Sequence, residues 1–294
     1  MDQAQSLREY MQRYQIQQQK TDSSRVITIT SGKGGVGKSN FTLNFALGLQ
    51  AVGKKVVILD LDLSTANINI LMGITPRYHL IDVLYQEKHI WDVLEKGTNG
   101  IEYISGGLEI DDLLKFDQHL LTFFWTQIQE LQQYADFILL DTGAGISKEL
   151  VDFIIASDET IMVTTPEPTS IADSYAVMKT VRQMTKETPH FRLVVNRAQT
   201  YREAVETSRA MKDACSNFLK IGLKTLGFLM EDDHVRKAVR AQKPYYFLYP
   251  NCEASKSMKQ IVYTYLPELE LATSEPPKGI RGFFEKMLSL GKSV

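Results

Sequence analysis

Ser31-Gly32-Lys33-Gly34-Gly35-Val36-Gly37-Lys38-Ser39 is the stretch from which the rest of this chain can be read. It fits G-x-x-x-x-G-K-[ST], with Gly32, Gly37, Lys38 and Ser39 in the defining places. Before it, Arg25–Thr30 is β-branched and reads as a buried strand. After it, Phe41, Leu43, Phe45, Ala46, Leu47 and Leu49 belong to a helix that stops near Gly53. Strand, glycine loop and helix come in the order that a phosphate-binding loop requires. Glycines let consecutive amides turn inward, and the helix N-terminus adds partial positive charge where a phosphate would sit. Lys38 would reach the β- and γ-phosphates, and the Ser39 hydroxyl would ligate Mg2+. Lys33 is a second lysine that the general motif does not demand.

Outward from the loop, short apolar runs alternate with helical patterns. Strands are expected at 55–60, 101–105, 136–141, 160–165, 191–196 and 225–229. Helices are expected near 64–72, 116–134, 147–155, 169–185, 200–220, 232–242 and 253–266. Such alternation, with runs like Val56-Val57-Ile58-Leu59, predicts an α/β fold: a mostly parallel sheet with helices on both faces. Ligands in these sheets bind at the carboxyl ends of the strands. Three expected strands end in Asp60, Asp141 and Asn196, which points to a single site.

The acids there suit phosphate chemistry. Asp60 and Asp62 share one side of a continuing strand, so both carboxylates could face the phosphates. Asp60 would hold the water shell of Mg2+, and Asp62 would orient or deprotonate the attacking water. Asp141 ends Ile138-Leu139-Leu140, a place that suits Mg2+ coordination through water, and the Gly143 amide could sense a γ-phosphate.

Bulk composition adds little and excludes more. The chain has 294 residues, 44% of them hydrophobic, enough for a full core. A net charge of −2 calls for neither nucleic acid nor membrane. Cys215 and Cys252 lie far apart without metal-ligand spacing, which fits a reducing cytoplasm. The N-terminus is too polar for a signal peptide, and no run of about 18 apolar residues could span a bilayer.

The loop, Asp60-Leu61-Asp62 and Asp141-Thr142-Gly143-Ala144-Gly145 resemble the MinD/ParA class of deviant Walker A ATPases, which are P-loop NTPases. The similarity continues through Thr164-Thr165-Pro166-Glu167, Ser170-Ile171-Ala172-Asp173-Ser174, Val195-Asn196-Arg197 and Met230-Glu231-Asp232, covering about residues 25–266. It implies ATP and Mg2+ as cofactors and a homodimer that sandwiches ATP. It also implies that Lys33 reaches the partner's phosphates as an arginine finger would. Lys33, Lys38 and Asp62 are then catalytic. Gly32, Gly34, Gly35, Val36, Gly37, Ser39, Asn40 and Gly143 bind nucleotide with the two lysines, and Ser39, Asp60 and Asp141 serve the metal. Asn196, Arg197 and the turn Met230-Glu231-Asp232 would lie at the adenine. Two departures are visible: Met230 stands where relatives often carry proline, and Thr142-Gly143 replaces the serine and proline of MinD.

The ends lie outside this domain, taken as 25–272. A linker at 273–278 leads to 279–294, where Ile280, Phe283, Phe284, Met287 and Leu288 form a helical stripe beside Lys278, Arg281, Lys286 and Lys292. A basic amphipathic helix of this kind lies on anionic lipid, although the same stripe would serve a helix docked on the core. Peripheral attachment to the inner face of the cell membrane follows from the first alternative. At the other end, residues 1–24 contain Asp2-Gln3-Ala4-Gln5-Ser6-Leu7-Arg8, similar to an element of the FlhG (YlxH) type. In that family it activates the GTPase FlhF, which assigns Asp2, Gln3, Gln5, Leu7 and Arg8 to partner activation. A polar tail without a partner is the alternative. The combined expectation is a MinD-like ATPase that regulates flagellum placement or number, with switch-ring proteins as further partners. The rivals are division-site selection and DNA partition. The mixed charge of 231–243 speaks against DNA, and the unpaired cysteines against an iron–sulfur carrier.

Overall fold

The computed structural model describes residues 24–62, 67–85, 88–106, 118–185, 189–272 and 278–291. The first half runs β1 (Arg25–Thr30), α1 (Lys38–Ala51), β2 (Val56–Asp60), α2 (Ile68–Met72), α3 (Leu80–Leu84), α4 (Ile90–Val93), β3 (Glu95–Lys96), β4 (Glu102–Ser105), α5 (Gln118–Tyr134) and β5 (Phe137–Asp141). It continues with α6 (Lys148–Ala156), β6 (Glu159–Thr164), α7 (Pro168–Met184), β7 (Phe191–Ala198), α8 (Tyr201–Ala214) and β8 (Lys224–Met230). The last elements are α9 (Asp233–Arg240), α10 (Tyr245–Leu248), α11 (Glu253–Ala272) and α12 (Gly279–Gly291).

Among the described residues eight strands form one sheet in the order β3-β4-β2-β5-β1-β6-β7-β8, parallel except where β3 meets β4. The central strands β2, β5 and β6 are buried at every position. That burial explains their unbroken apolar runs: helices cover both faces, so neither side of the pleat needs polar residues. Alternate residues of β1 divide between two cores. Ile27 and Ile29 join Phe41, Phe45 and Tyr265 beneath α1 and α11, while Val26 faces Phe124, Ile128 and Leu131 of α5. A third cluster joins α6, α7 and α8 through Ile154, Met178 and Met211.

The expected strands are all present within a residue or two. The two-residue edge strand β3 and the short helices α3, α4 and α10 escaped the pattern, because four or five residues cannot display a helical period. Past the end of α8, Cys215–Leu219 is a π-turn. Of the expected helix 64–72, Ile68–Met72 is helical and 63–66 lie outside the described residues. Residues 1–23 and the linker positions 273–277 also lie outside them.

Of the two places expected for the C-terminal stripe, the structure shows the docked one. Ile280, Phe283, Phe284 and Met287 are buried in a groove formed by α5, α6 and β1, with Leu288 partly covered beside them. Phe283 stacks on Phe153 with ring centroids 5.9 Å apart, and Phe284 meets Phe124 edge-on at 5.3 Å. Asp158 pins the entry to the helix, accepting hydrogen bonds from Val26 N at 2.8 Å and Lys278 N at 2.6 Å. Gln132 Oε1 accepts another from Arg281 N at 3.0 Å. An apolar helical stripe fits lipid or core equally, and here the core has it. Each buried side chain of this size contributes roughly 1.5–3 kcal/mol, so leaving the groove costs several kcal/mol.

Candidate functional site

Gly37, with φ 92°, turns the chain from the loop into α1. No side chain caps that helix and its first turn holds no acid, so its amides remain available to an anion. A Cβ on Gly37 would sit 2.5 Å from Asn196 Nδ2. One on Gly32 would sit 2.2 Å from the backbone of Asp173 and Ser174, which explains why the loop passes α7 only as glycine.

The phosphate lysine is held from below. Lys38 Nζ donates to Asp141 Oδ1 at 3.1 Å and lies 3.4 Å from Ser39 Oγ. Thr42 Oγ1, one turn further along α1, donates to the same carboxylate oxygen at 2.8 Å. Asp141 Oδ2 is buried without a hydrogen-bond partner. A buried carboxylate oxygen left unsatisfied beside a serine hydroxyl and an ammonium suits the water shell of a hard cation, so Ser39 and Asp141 fit Mg2+.

Asp60 lies opposite Asp141 in the β2–β5 register. Burial, and next the charge of Asp141, push its pKa from 3.8 to about 7. The amides of Asp62, Asn67 and Ile68 donate to it at 3.3, 3.0 and 3.1 Å, and those of Ile68 and Asp62 oppose that shift. Asp62 accepts a bond from Asn67 Nδ2 at 3.1 Å, which orients its carboxylate at the end of β2. Gly143 has open space where a Cβ would stand, and the neighbouring Gly145, at φ 93°, donates its N–H to Ser31 O.

Beside the loop lies a cavity of about 370 Å³. Asn40, Asn196, Arg197, Met230, Glu231 and Asp232 line it, so every residue expected at a base converges here. Asn196 Nδ2 is anchored on Val36 O at 2.7 Å, and Arg197, at φ 59°, pairs with Glu231 at 3.1 Å. Phe41, Val235 and Tyr245 supply apolar surface that the sequence did not disclose. Their helical spacing reads simply as core.

Lys33 stands apart, half-exposed on the rim of the loop. Its ammonium is 3.0 Å from Glu167 Oε2 and 3.2 Å from Thr169 Oγ1, both at the start of α7. Sequence reasoning assigned those two no role, and Thr42 none either. A threonine four residues after Lys38 on the same helix face was the available signal for the latter. The partner-activating positions Asp2 to Arg8 lie outside the described residues.

The ParA family, described as NUBPL iron-transfer P-loop NTPase, matches residues 22–266. The chain is similar to the antiactivator FleN of Pseudomonas aeruginosa, 32% identical over 81% of this chain and 84% of that protein. It is 30% identical to the flagellum site-determining protein YlxH of Helicobacter pylori over 90% of each. The septum site-determining protein MinD of Pyrococcus horikoshii, complexed with Mg-ADP, shares the fold with a TM-score of 0.66 at 23% identity. That likeness covers 86% of this chain and all of the other.

Proposed function

Because the chain belongs to the ParA/MinD family of P-loop NTPases, we propose that it is an ATP-switched dimeric ATPase that regulates where, or how many, flagella form. Support for the flagellar role comes from the likeness to the flagellum site-determining protein YlxH, and support for ATP from the phosphate loop and the cavity beside it. The observation that carries the switch is Lys33: an ammonium on the rim of the phosphate loop, 43% exposed and held by two solvent-facing partners.

An exposed ion pair of this kind contributes little, about 0–1 kcal/mol, so Lys33 leaves Glu167 readily when a partner's phosphates approach. Lys38, already inside the site, moves from Asp141 to the phosphates of its own nucleotide. Ser39 and Asp141 would hold Mg2+, which would supply positive charge to neutralise the phosphates. Asp62 orients the attacking water and takes its proton. Hydrolysis is slow, because the second lysine arrives only with the partner subunit.

Attachment to an anionic membrane would use the stripe of α12, which must first leave its groove. Two helices in a dimer gain by effective concentration what one lacks. A variant lacking 279–294 should fail to pellet with liposomes in ATP; if it still pellets, the anchor is elsewhere. The N-terminal segment would stimulate FlhF through Gln3 and Gln5, and exchanging both for alanine should abolish stimulation while sparing ATP binding. Unchanged stimulation would remove that assignment.

Gel filtration in ADP and in ATP tests the central claim. Wild type should dimerise only in ATP, Lys33→Ala should bind nucleotide yet stay monomeric, and Asp62→Ala should remain trapped as the ATP dimer. A wild-type monomer in ATP, or a Lys33→Ala dimer, overturns the proposal.

A further inference from the structure

We propose that Asp232, His234 and Cys252 form a binding site for a divalent transition cation of the Zn2+ type. Asp232 ends the turn after β8, His234 lies in the first turn of α9, and Cys252 directly precedes α11. The fold brings these segments together so that one ligand atom from each lies within 4.8 Å of the others. His234 Nδ1 is 2.8 Å from Asp232 Oδ1, and the Cys252 thiol donates to Ser255 Oγ at 3.3 Å.

The obvious alternative is that Asp232 merely caps helices. It does accept bonds from His234 N at 2.9 Å and Ala254 N at 3.1 Å, at the starts of α9 and α11. Capping accounts for the aspartate, but it demands neither an imidazole at 234 nor a thiol at 252. The caps also orient the carboxylate, as outer partners do around metals. Ser255 N is 3.4 Å from Cys252 Sγ, and the His234 ring packs 4.8 Å from that of Tyr249. All three side chains are therefore oriented by groups outside the ligand set.

The donor set decides the ion. Thiolate, imidazole and carboxylate together favour Zn2+ over Mg2+ or Ca2+, which prefer oxygen alone. Ligand atoms around tetrahedral zinc stand roughly 3.3–3.8 Å apart, so closing the site needs about 1 Å of side-chain movement. His234 is 45% exposed, which leaves an entry path and a fourth position for water. The site shares Asp232 with the base cavity, but His234 and Cys252 do not line that cavity, and none of Ser39, Asp60 and Asp141 belongs to it.

The test uses the full-length chain, stripped of metal and free of nucleotide, titrated with Co2+ under reducing conditions. A near-ultraviolet thiolate-to-cobalt band and the visible bands of a tetrahedral ion should grow to about one equivalent, and Zn2+ should bleach them. Cys252→Ser should lose the thiolate band, while Cys215→Ser keeps it. His234→Gln, a partly exposed and structurally mild change, should weaken Co2+ binding about 100-fold or more. Absence of the band in wild type, its survival in Cys252→Ser, or unaltered affinity in His234→Gln overturns the site. Nucleotide binding by the same samples reports on the phosphate loop separately.

Discussion

Asp60 shows how far one residue's chemistry depends on its surroundings. An aspartate at the end of a hydrophobic strand was legible in the sequence, as was its sharing a site with Asp141; that the two stand opposite each other on adjacent strands was not, because register joins residues far apart in the chain. With its pKa raised from 3.8 to about 7, the folded protein keeps a proton that the unfolded chain releases above about pH 4. Its contribution is therefore fully present below pH 4 and is lost as pH rises through 7, by up to roughly 4 kcal/mol. Urea denaturation of the nucleotide-free protein should show stability falling between about pH 4 and 7, and Asp60→Asn should flatten that fall. Equal slopes in the two proteins would contradict the assignment. Glycine positions separate in the same way. Gly37→Ala meets both positive φ and the Asn196 amide, and should cost about 1–3 kcal/mol together with nucleotide affinity. Gly143→Ala meets open space, so it should leave the nucleotide-free protein unaltered; thermal melts of both would show it. Lys33→Ala should change stability by less than about 1 kcal/mol, so a lost dimer reports switching rather than unfolding.

Among elements, the C-terminal helix matters most. The 3-4 spacing of Ile280, Phe283, Phe284 and Met287 fixed its helical form and its single apolar face. What that face touches was not in the spacing. In the structure Phe283 is fully buried against Phe153, so Phe283→Ala should cost about 3–5 kcal/mol in chemical denaturation. An unaltered midpoint would mean that the groove does not hold the helix in solution. Replacing exposed Arg281, whose ion pair with Glu285 is half-exposed, by glutamine should change stability by less than about 1 kcal/mol and should reduce ATP-dependent liposome binding. The two variants thus separate the docked role of the helix from its proposed role on lipid. Short elements were the least legible. Glu95–Lys96 and Tyr245–Leu248 are too brief for periodicity, and tertiary contacts create them.

For the whole molecule, the sheet order does the assembling. Strand β1 lies between β5 and β6, so its loop opens where the chain turns from one half of the sheet to the other. That place gathers Lys38, Asp60, Asp141 and Asn196, contributed by four segments of the chain. If ATP drives dimerisation, the melting midpoint should rise with protein concentration in ATP but not in ADP, and Lys33→Ala should abolish the dependence. A midpoint independent of concentration in ATP would deny the dimer. By itself the sequence determined the phosphate loop, the alternation of strand and helix, and the acids at strand ends. These are written in local spacing and in residue type. The tertiary structure alone decided that Thr42 shares Asp141 with Lys38, that Glu167 and Thr169 hold Lys33, and that the terminal stripe lies in a groove. Those contacts join positions far apart in the chain, and an apolar face records only that it must leave water, not which surface receives it.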